Sequence, residues 1–499
     1  MAAVDIYEQK HYEDTFGHVY TVDFSSPMMA GGQGVVIRTT EADLALKIIR
    51  DFDTQEVLTD DRNNEKYLDL RILPIPNGLQ VTLPQVALKG VEGYVMTLLN
   101  SMTEFQKAFA TGKQYYEDAL QGEAPNVNQK LLNFFESKPE YTPKRRAKIY
   151  AYMQTGGLRR RLMAYMKAAA ILVRLHTSGL VYCDFSDKNV FISSDLNYDH
   201  VWLIDADNLT FSELIPRGFY IYTPGFGAPE FMRGGAGVKS TFYSDCFSFA
   251  VALFNTMFAR HPFDGQAFQN ALDECDDPED ADAALNGGEF AWILDSDDDS
   301  NDGRRYLVIS DKMILSDGLR ELFQQIFSGD ACQNPIFRPT MIQWAHETAY
   351  AFDNVVRAES CGLDYFADAS EKFFQCPFDG AEIPAVCLRS YLLDEADQKL
   401  AKIWQFTHEL GDEDILVPLR ILNGFACREL ENAAFNLKFV NGKILIRADD
   451  ADYSFSYADG AWEYSFKSYG SFWAEQKIFS IMCRNKNGRR VLIEGERNG

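Results

Sequence analysis

The stretch that most constrains the fold is GLVYCDFSDKNVFIS, residues 179–193, which places polar groups inside an apolar segment. Asp184 and Asn189 stand five positions apart, and the apolar run Val190, Phe191 and Ile192 follows directly. A charged group resists burial unless it is paired, hydrogen-bonded or bound to a metal ion. We therefore expect a core that holds a polar site in a fixed position.

The overall charge limits the classes of function. The chain has 499 residues, and its hydrophobic fraction of 46% is typical of a folded globular protein with several cores. Acidic residues number 73 against 48 basic ones, which gives a net charge of −25. Because nucleic-acid binding needs a basic face, we expect no nucleic-acid partner.

The cysteines and the N-terminal segment indicate a compartment. The first residues, MAAVDIYEQKHYEDTFGH, are polar and lack the apolar core of a secretory signal. The chain has no run of eighteen or more apolar residues that would predict a membrane span. Its nine cysteines are scattered and odd in number, which favours reduced thiols. We expect a cytoplasmic protein.

Periodicity and turn signals predict a mixed α+β chain. The predicted elements are strands in 20–50 with a hairpin turning near residues 41–43, a helix in 56–73, a buried strand in 93–99, helical segments in 100–157, a buried helix in 158–175 and a strand in 201–211. The nearly continuous apolar pattern of 158–175 is the reason for placing that helix in the core.

Two later segments differ from the rest in composition and in the pattern of their residues. Residues 273–302 hold thirteen carboxylates and are expected to form a solvated loop, because repelling charges oppose compact packing. Residues 436–469 alternate at period two, with Asn-Gly and Asp-Gly turns that predict β-hairpins. We infer a partly β-rich C-terminal module, residues 356–499, which offers a place for a regulatory partner.

Polar residues at turns suggest phosphate and metal chemistry. Gly31 and Gly34 flank a predicted turn, where the absence of a Cβ lets a phosphate approach the backbone. Lys47 is a cation inside an apolar strand. Three oxygen donors lie at the ends of short apolar strands: Asp184, Asn189 and Asp205. Such oxygen ligands suit Mg²⁺ together with a proton acceptor.

Seven segments resemble, in the right order, the motifs of a eukaryotic-like (Hanks-type) serine/threonine protein kinase. They are AGGQGVV for the Gly-rich loop, LALKII for the lysine strand, YCDFSDKNVFI for the catalytic loop, IDAD for the metal-binding aspartate, YTPGFGAPE for the end of the activation segment, YSDCFSFAVALFNTMFARHPFDG for the helix behind the catalytic loop, and FRPT for a late arginine. The chain resembles a divergent member of the family, compatible with a bacterial kinase.

The resemblance covers about residues 18–355 and implies a bilobal protein-kinase fold for residues 1–355. It implies a β-rich N-lobe of about 18–99, an insertion of about 100–157 and a helical C-lobe of about 158–355. The implied activity is Mg²⁺-dependent transfer of the γ-phosphate of ATP to serine or threonine hydroxyls of a protein substrate.

The resemblance also implies residue roles. Asp184 is the expected catalytic base, Lys47 the anchor of the α- and β-phosphates, and Lys188 a contact to the γ-phosphate. Asn189 and Asp205 are the expected Mg²⁺ ligands. The residues expected to bind ATP are Gly31, Gly32, Gly34, Val36, Ala45, Lys47, Glu65, Met96, Thr97 and Leu98.

Several supporting contacts are implied as well. Glu65 is expected to hold Lys47, with Glu56 as the alternative, and Met96 is expected at the back of the adenine pocket. The expected contacts deeper in the chain are a tie from Asp245 to the catalytic loop, an ion pair between Arg338 and Glu230, and a hydrogen bond from Thr223 to Asp184.

The chain departs from the family pattern at Met29, Tyr182, Cys183, Ser186, Ala206 and Asp207. Cys183 replaces the arginine that receives an activation-segment phosphate, so activation through that contact is not expected. Groups with a direct chemical role remain in place, which favours an active kinase. A nucleotide-binding pseudokinase that acts as a scaffold or regulator is the alternative.

The C-terminal cysteines give a weaker signal. CPFDG, residues 376–380, resembles half of a zinc knuckle, with Cys361 and Cys387 nearby. The second cysteine of a C-x-x-C pair is missing, and Asp379 stands in its place. We therefore expect buried cysteines without a metal ion.

Overall fold

A computed structural model shows a mixed α+β protein with several antiparallel sheets. It describes the whole chain except residues 1–8, 26–27, 32–33, 52–53, 60, 112–128, 140, 236, 276, 368–373, 449–453, 460–461, 468–469, 485–487 and 499. Within the described residues, helices that could cross a membrane are absent, since none combines the necessary length and hydropathy.

The first part of the chain is a five-stranded sheet with a separate two-stranded hairpin and a short helix. Its elements are β1 (His11–Glu13), β2 (Val19–Thr21), β3 (Met29–Gly31), β4 (Gly34–Arg38), β5 (Leu44–Ile49), α1 (Glu65–Asp69), β6 (Val86–Ala87) and β7 (Gly93–Thr97). The N-terminal sheet has the order β3-β4-β5-β7-β6, and all its pairs are antiparallel. The predicted hairpin near residues 41–43 is confirmed by the pairing of β4 with β5.

The two faces of the N-terminal sheet have different environments, because side chains alternate along a strand. Leu46, Ile48 and Val95 face a small core that includes Tyr12 and Tyr20 of the β1–β2 hairpin. The residues between them on the strands belong to the opposite face: Ala45, Tyr94 and Met96 lie in the main core, with Val36 packed against it. That second face looks toward the helical part of the molecule.

Helix formation in the predicted segment 56–73 is confirmed only for residues 61–72. There α1 lies between two 3-10 turns, Asp61–Asn64 and Leu70–Ile72. The buried Asn64 side chain ties this segment to the sheet, since Nδ2 donates to the carbonyls of Leu88 (2.7 Å) and Val91 (2.9 Å). This anchor fixes the rotational phase of α1.

The middle of the chain is mostly helical, and its described residues also form five short strands. The elements are β8 (Met102–Glu104), α2 (Phe105–Ala108), α3 (Gln129–Glu136), α4 (Pro143–Gln154), α5 (Gly157–Thr177), β9 (Leu180–Val181), β10 (Val190–Ser193), β11 (Val201–Leu203), β12 (Thr210–Phe211), α6 (Pro229–Arg233), α7 (Phe242–Phe258), α8 (Gln266–Glu274), α9 (Pro278–Asn286), α10 (Asp311–Ile314), α11 (Asp317–Phe327), α12 (Gly329–Gln333) and α13 (Met341–Asp353). Helix α5 confirms the predicted buried helix, with fifteen of its 21 residues buried.

The acidic segment 273–302 is more ordered than expected. Residues Pro278–Asn286 form α9, which is capped by the side chain of Asp277. The expectation of a loop is wrong there because Ala281 and Leu285 pack inward while the carboxylates of the helix stay in solvent. Further along, Trp292 is fully buried. Burial of these few apolar side chains is enough to fold the segment, while its carboxylates remain hydrated.

The C-terminal part is rich in strands, as predicted. Its elements are β13 (Val355–Ala358), β14 (Leu363–Phe366), β15 (Ala385–Leu393), β16 (Lys399–Glu409), β17 (Ile415–Pro418), α14 (Arg420–Asn423), β18 (Ala433–Val440), β19 (Lys443–Ala448), β20 (Ser454–Asp459), β21 (Trp462–Lys467), β22 (Gly470–Ala474), β23 (Ile478–Arg484) and β24 (Arg490–Asn498). We call residues 385–498 the β module. It has a six-stranded sheet, β16-β15-β24-β23-β20-β21, and a four-stranded sheet, β17-β18-β19-β22.

The β module packs directly on α5 and α13. Its core includes Met166 of α5 and Ala349 of α13. At the same contact Arg420 of the module forms a buried ion pair with Asp353, at the end of α13. The indole Nε1 of Trp404 donates to that carboxylate at 2.7 Å. Apolar packing and a buried polar contact therefore join the module to the helices.

Candidate functional site

Strand β5 positions Lys47 at the centre of the N-terminal sheet. In the register of the sheet, Lys47 pairs with Val36 on one side and with Tyr94 on the other. Its ammonium lies 5.8 Å from the centroid of the Tyr94 ring, and its side chain is only 4% exposed. A lysine so deeply buried needs anionic partners.

Two aspartates from the segment after β11 supply those partners. Lys47 Nζ lies 3.1 Å from Oδ1 of Asp205 and 3.0 Å from Oδ2 of Asp207. Burial lowers the pKa of Lys47, but the two carboxylates outweigh burial and raise the pKa above its usual value. Lys47 is therefore charged and held by the segment 205–207.

The backbone of that segment is bent. Asp205 has φ 54° and ψ 43°, in the left-handed region, and a 3-10 turn over Ala206–Asn208 follows it. This bend brings the carboxylates of Asp205 and Asp207 to the same ammonium. The Asp205 side chain remains 35% exposed, whereas that of Asp207 is 7% exposed. Asp205 is thus the carboxylate that a ligand can reach from solvent.

The expected pair between Lys47 and Glu65 is not formed in this structure, and this is a correction to the sequence analysis. Glu65 is exposed at the first turn of α1, and the alternative, Glu56, is exposed as well. The inward position on α1 belongs to Tyr67, whose ring lies 4.7 Å from that of Tyr94. Asn64 sets this helix phase, so the glutamate faces solvent.

Asp184 is held from two sides. Oγ1 of Thr223 donates to its Oδ1 at 2.8 Å, which confirms the contact expected for Thr223. Nδ2 of Asn189 donates to its Oδ2 at 3.0 Å and to its backbone carbonyl at 2.9 Å. Burial raises the pKa of Asp184, the two hydrogen bonds oppose that shift, and the charge of Asp205 adds to it.

Helix α7 supports the polar loop, residues 182–189, from behind. Asp245 accepts from the backbone N–H groups of Tyr182 (2.8 Å) and Cys183 (3.0 Å), and His176 Nε2 lies 2.9 Å from its Oδ2. The expected tie from Asp245 is therefore confirmed. Cys183 has φ 77°, an unfavourable backbone region for a non-glycine residue, so the loop depends on this anchor.

A second ion pair fixes α6. Arg338 donates to Glu230 through two nitrogens, at 2.9 Å to Oε1 and 2.6 Å to Oε2, which confirms the expected pair. The Arg338 side chain is fully buried. A bidentate contact of this kind holds two segments in one relative orientation.

The remaining residues predicted to bind ATP or phosphate differ in their environments. Ala45 and Met96 are buried neighbours across β5 and β7, and Leu98 is also buried. Thr97, at the end of β7, accepts a hydrogen bond from Gln85 at 2.8 Å. Lys188 is exposed on the polar loop. Of the glycines, Gly31 pairs with Gly34 across the β3–β4 hairpin, whereas Gly32 lies outside the described residues.

Asp187 is a buried carboxylate whose burial the sequence analysis did not anticipate. Its Oδ2 accepts from Thr111 at 2.9 Å, and burial raises its pKa to about 6. Its sequence neighbour Ser186 is also fully buried. In the sequence, only the apolar residues on both sides of the polar loop pointed to this burial. The loop itself is buried by contacts with residues 105–111.

The donor set fits a nucleotide with its magnesium ion. Asp205 and Asn189 are oxygen donors of the type that Mg²⁺ prefers. Because the amide nitrogen of Asn189 donates to Asp184, its side-chain oxygen is the atom that could bind a cation. Lys47 supplies a charge for phosphate, and the apolar residues Ala45 and Met96 offer packing for a flat ring.

Comparison with known proteins gives no assignment. A scan against models of protein families finds no match, and a search of curated proteins finds none. The functional assignment therefore rests on the geometry of the site.

Proposed function

We propose that this chain is a protein kinase that transfers the γ-phosphate of ATP to serine or threonine hydroxyls of a protein substrate. The observation that carries the proposal is the convergence of Lys47, Asp205 and the Thr223-supported Asp184 between the N-terminal sheet and the polar loop. In this proposal the sheet is the N-lobe of a bilobal kinase fold, the helical part is the C-lobe, and ATP binds between them.

The chain's own residues have distinct tasks in this reaction. Asp184 accepts the proton of the acceptor hydroxyl, and Thr223 holds its carboxylate in position. Asn189 fixes the other carboxylate oxygen of Asp184 and, with Asp205, supplies ligands for the cation. Mg²⁺ bound with ATP would neutralise phosphate charge. Lys47 adds a positive charge on the sheet side of the phosphates.

A pseudokinase is the second candidate, and one observation favours it. Lys47 is already neutralised by Asp205 and Asp207, while Glu65 points to solvent. Phosphates would have to compete with two carboxylates for this lysine. A protein with this arrangement could bind a nucleotide as a structural ligand without transferring phosphate.

The test is phosphate transfer by the purified full chain, with radiolabelled ATP, Mg²⁺ and a generic acceptor protein. Asp184→Asn should lower the rate by about 10²–10⁴-fold while nucleotide-dependent thermal stabilisation persists, because Asp184 acts on the acceptor. Asp195→Asn, the same change at an exposed position, is the matched control and should keep the parental rate.

The outcomes separate the two candidates. Thermal stabilisation by ATP without transfer by the parent chain supports the pseudokinase. Equal transfer by the parent and Asp184→Asn contradicts the role of Asp184. Absence of both stabilisation and transfer contradicts nucleotide binding altogether.

A further inference from the structure

Two turns at the junction between the helical part and the β module bring a pair of cysteines together. Cys361 lies in the turn between β13 and β14, and Cys376 lies in a second turn, CPFDG, closed by a bridge between Gln375 and Glu382. The two sulfurs are 3.5 Å apart. With a carboxylate oxygen of Asp379, all three candidate ligand atoms lie within 4.8 Å of one another.

The second turn is organised by its own hydrogen bonds. The Cys376 N–H donates to the carbonyl of Ala381, and the Gly380 N–H donates to the carbonyl of Cys376, both at 2.9 Å. Gly380 has φ 71°, a conformation that favours glycine. The Asp379 carboxylate accepts from the Ala381 N–H at 3.0 Å. Cys376 and Asp379 are thus held on the same side of a tight turn.

The distance between the sulfurs matches a shared metal ion better than a covalent bond. A disulfide requires about 2.05 Å between the sulfurs. Two thiolates on one tetrahedral zinc ion, at about 2.3 Å each, stand about 3.8 Å apart. Both cysteines are buried, Cys361 to 4% exposure and Cys376 to 2%. Because thiols are weak hydrogen-bonding groups, their contact alone contributes little stabilisation.

We propose that Cys361, Cys376 and Asp379 bind one Zn²⁺ ion, with a solvent molecule as the fourth ligand. Thiolate ligands select zinc over magnesium or calcium. On binding, the two thiols release their protons to solvent and two S–Zn bonds form. This revises the expectation of cysteines without a metal ion.

The ion would join segments that are distant in sequence. Cys361 belongs to the β13–β14 hairpin, which directly follows α13. In the second turn, the ring of Phe378 packs on Phe134 of α3 with 6.0 Å between ring centroids. Zinc therefore joins the β13–β14 hairpin to the second turn, which packs on α3, and the proposal does not depend on the proposed kinase activity.

The experiment is elemental analysis of the full chain, purified without a metal-affinity tag and dialysed against a weak chelator. The parent should retain about one zinc ion per chain. Cys361→Ala and Cys376→Ala should each lose it. Cys483→Ala is the matched control, since Cys483 is a buried thiol of the β module with the same 4% exposure as Cys361, and it should keep the zinc.

A second measurement covers variants that fail to fold. Parent protein reconstituted with Co²⁺ in place of zinc should show a thiolate-to-cobalt charge-transfer band in the near ultraviolet. Absence of zinc from the parent, together with absence of this band, overturns the proposal. It is also overturned if the parent lacks zinc and Cys361 and Cys376 resist alkylation until a reductant is added, because that result identifies a disulfide.

Discussion

At the scale of single residues, the buried ammonium of Lys47 depends on Asp207. Asp207→Asn removes one of its two charged partners and should lower the free energy of unfolding by about 1–3 kcal/mol, because a buried charge loses compensation. The measurement is equilibrium unfolding in urea at neutral pH.

Glu65→Gln is the control for this prediction. Glu65 is exposed in this structure, so the substitution should change the free energy of unfolding by less than about 0.5 kcal/mol. The reverse order of effects would show that Glu65, and not Asp207, is the partner of Lys47 in solution.

The raised pKa of Asp187 predicts that the stability of the chain depends on pH. Its pKa rises from 3.8 to about 6 on folding, so the folded chain holds a proton that the unfolded chain releases. Its contribution to stability is present below the unfolded value and is lost as pH rises through about 6. Asp187→Asn keeps an oxygen acceptor for Thr111 but carries no charge.

The difference in free energy of unfolding, variant minus parent, should therefore increase by about 1 kcal/mol between about pH 5 and about pH 8. Urea unfolding of both proteins across this range measures it. A difference that stays constant with pH would mean that Asp187 titrates at its ordinary value in the folded chain.

At the scale of elements, α7 holds the polar loop through Asp245. Asp245→Asn should destabilise the chain by about 2–4 kcal/mol, because one amide oxygen cannot replace a carboxylate that accepts from Tyr182, Cys183 and His176. Amide hydrogen exchange should become faster at Tyr182 or Cys183, at whichever N–H faces the new amide nitrogen and so loses its acceptor.

Ser248→Ala provides the control on the same helix. Ser248 is buried at 4% exposure one turn beyond Asp245, so its loss tests whether any polar deletion in α7 has the same effect. Exchange at Tyr182 and Cys183 should not change in this variant. Equal acceleration in both variants would show that α7 supports the loop through its packing and not through the Asp245 carboxylate.

At the scale of the whole molecule, the β module and the helices share one interface. Arg420→Met leaves the buried Asp353 with Trp404 as its remaining donor among the contacts described above, and should cost about 3–5 kcal/mol. Adding Asp353→Asn removes the unpaired charge and should recover more than half of that loss. Urea unfolding, followed by circular dichroism and tryptophan fluorescence, measures both effects.

This unfolding should be a single transition, because Met166 and Ala349 of the helices lie in the core of the module. Beside them, Arg159 of α5 donates to both carboxylate oxygens of Glu409 at 2.6 Å, which adds a second polar tie. Two separate transitions, with Arg420→Met shifting only one of them, would show that the module folds independently of the helices.

Several features could be predicted from the sequence because residue type and local spacing specify them. The polar loop between apolar runs predicted a supported Asp184, and the motif order predicted the contacts of Thr223, Asp245 and Arg338. The β-hairpins of the C-terminal part followed from period-two alternation and from the turn at residues 441–442.

Other features were decided only by the tertiary structure. The phase of α1, and with it the choice of Asp207 over Glu65, depends on Asn64 bonding to carbonyls more than twenty residues away. The acidic segment folded because a few apolar residues found partners in the core. Cys361 and Cys376 meet because two separate hairpins pack at one junction. Sequence spacing constrains contacts within an element, whereas contacts between elements depend on packing that no local pattern encodes.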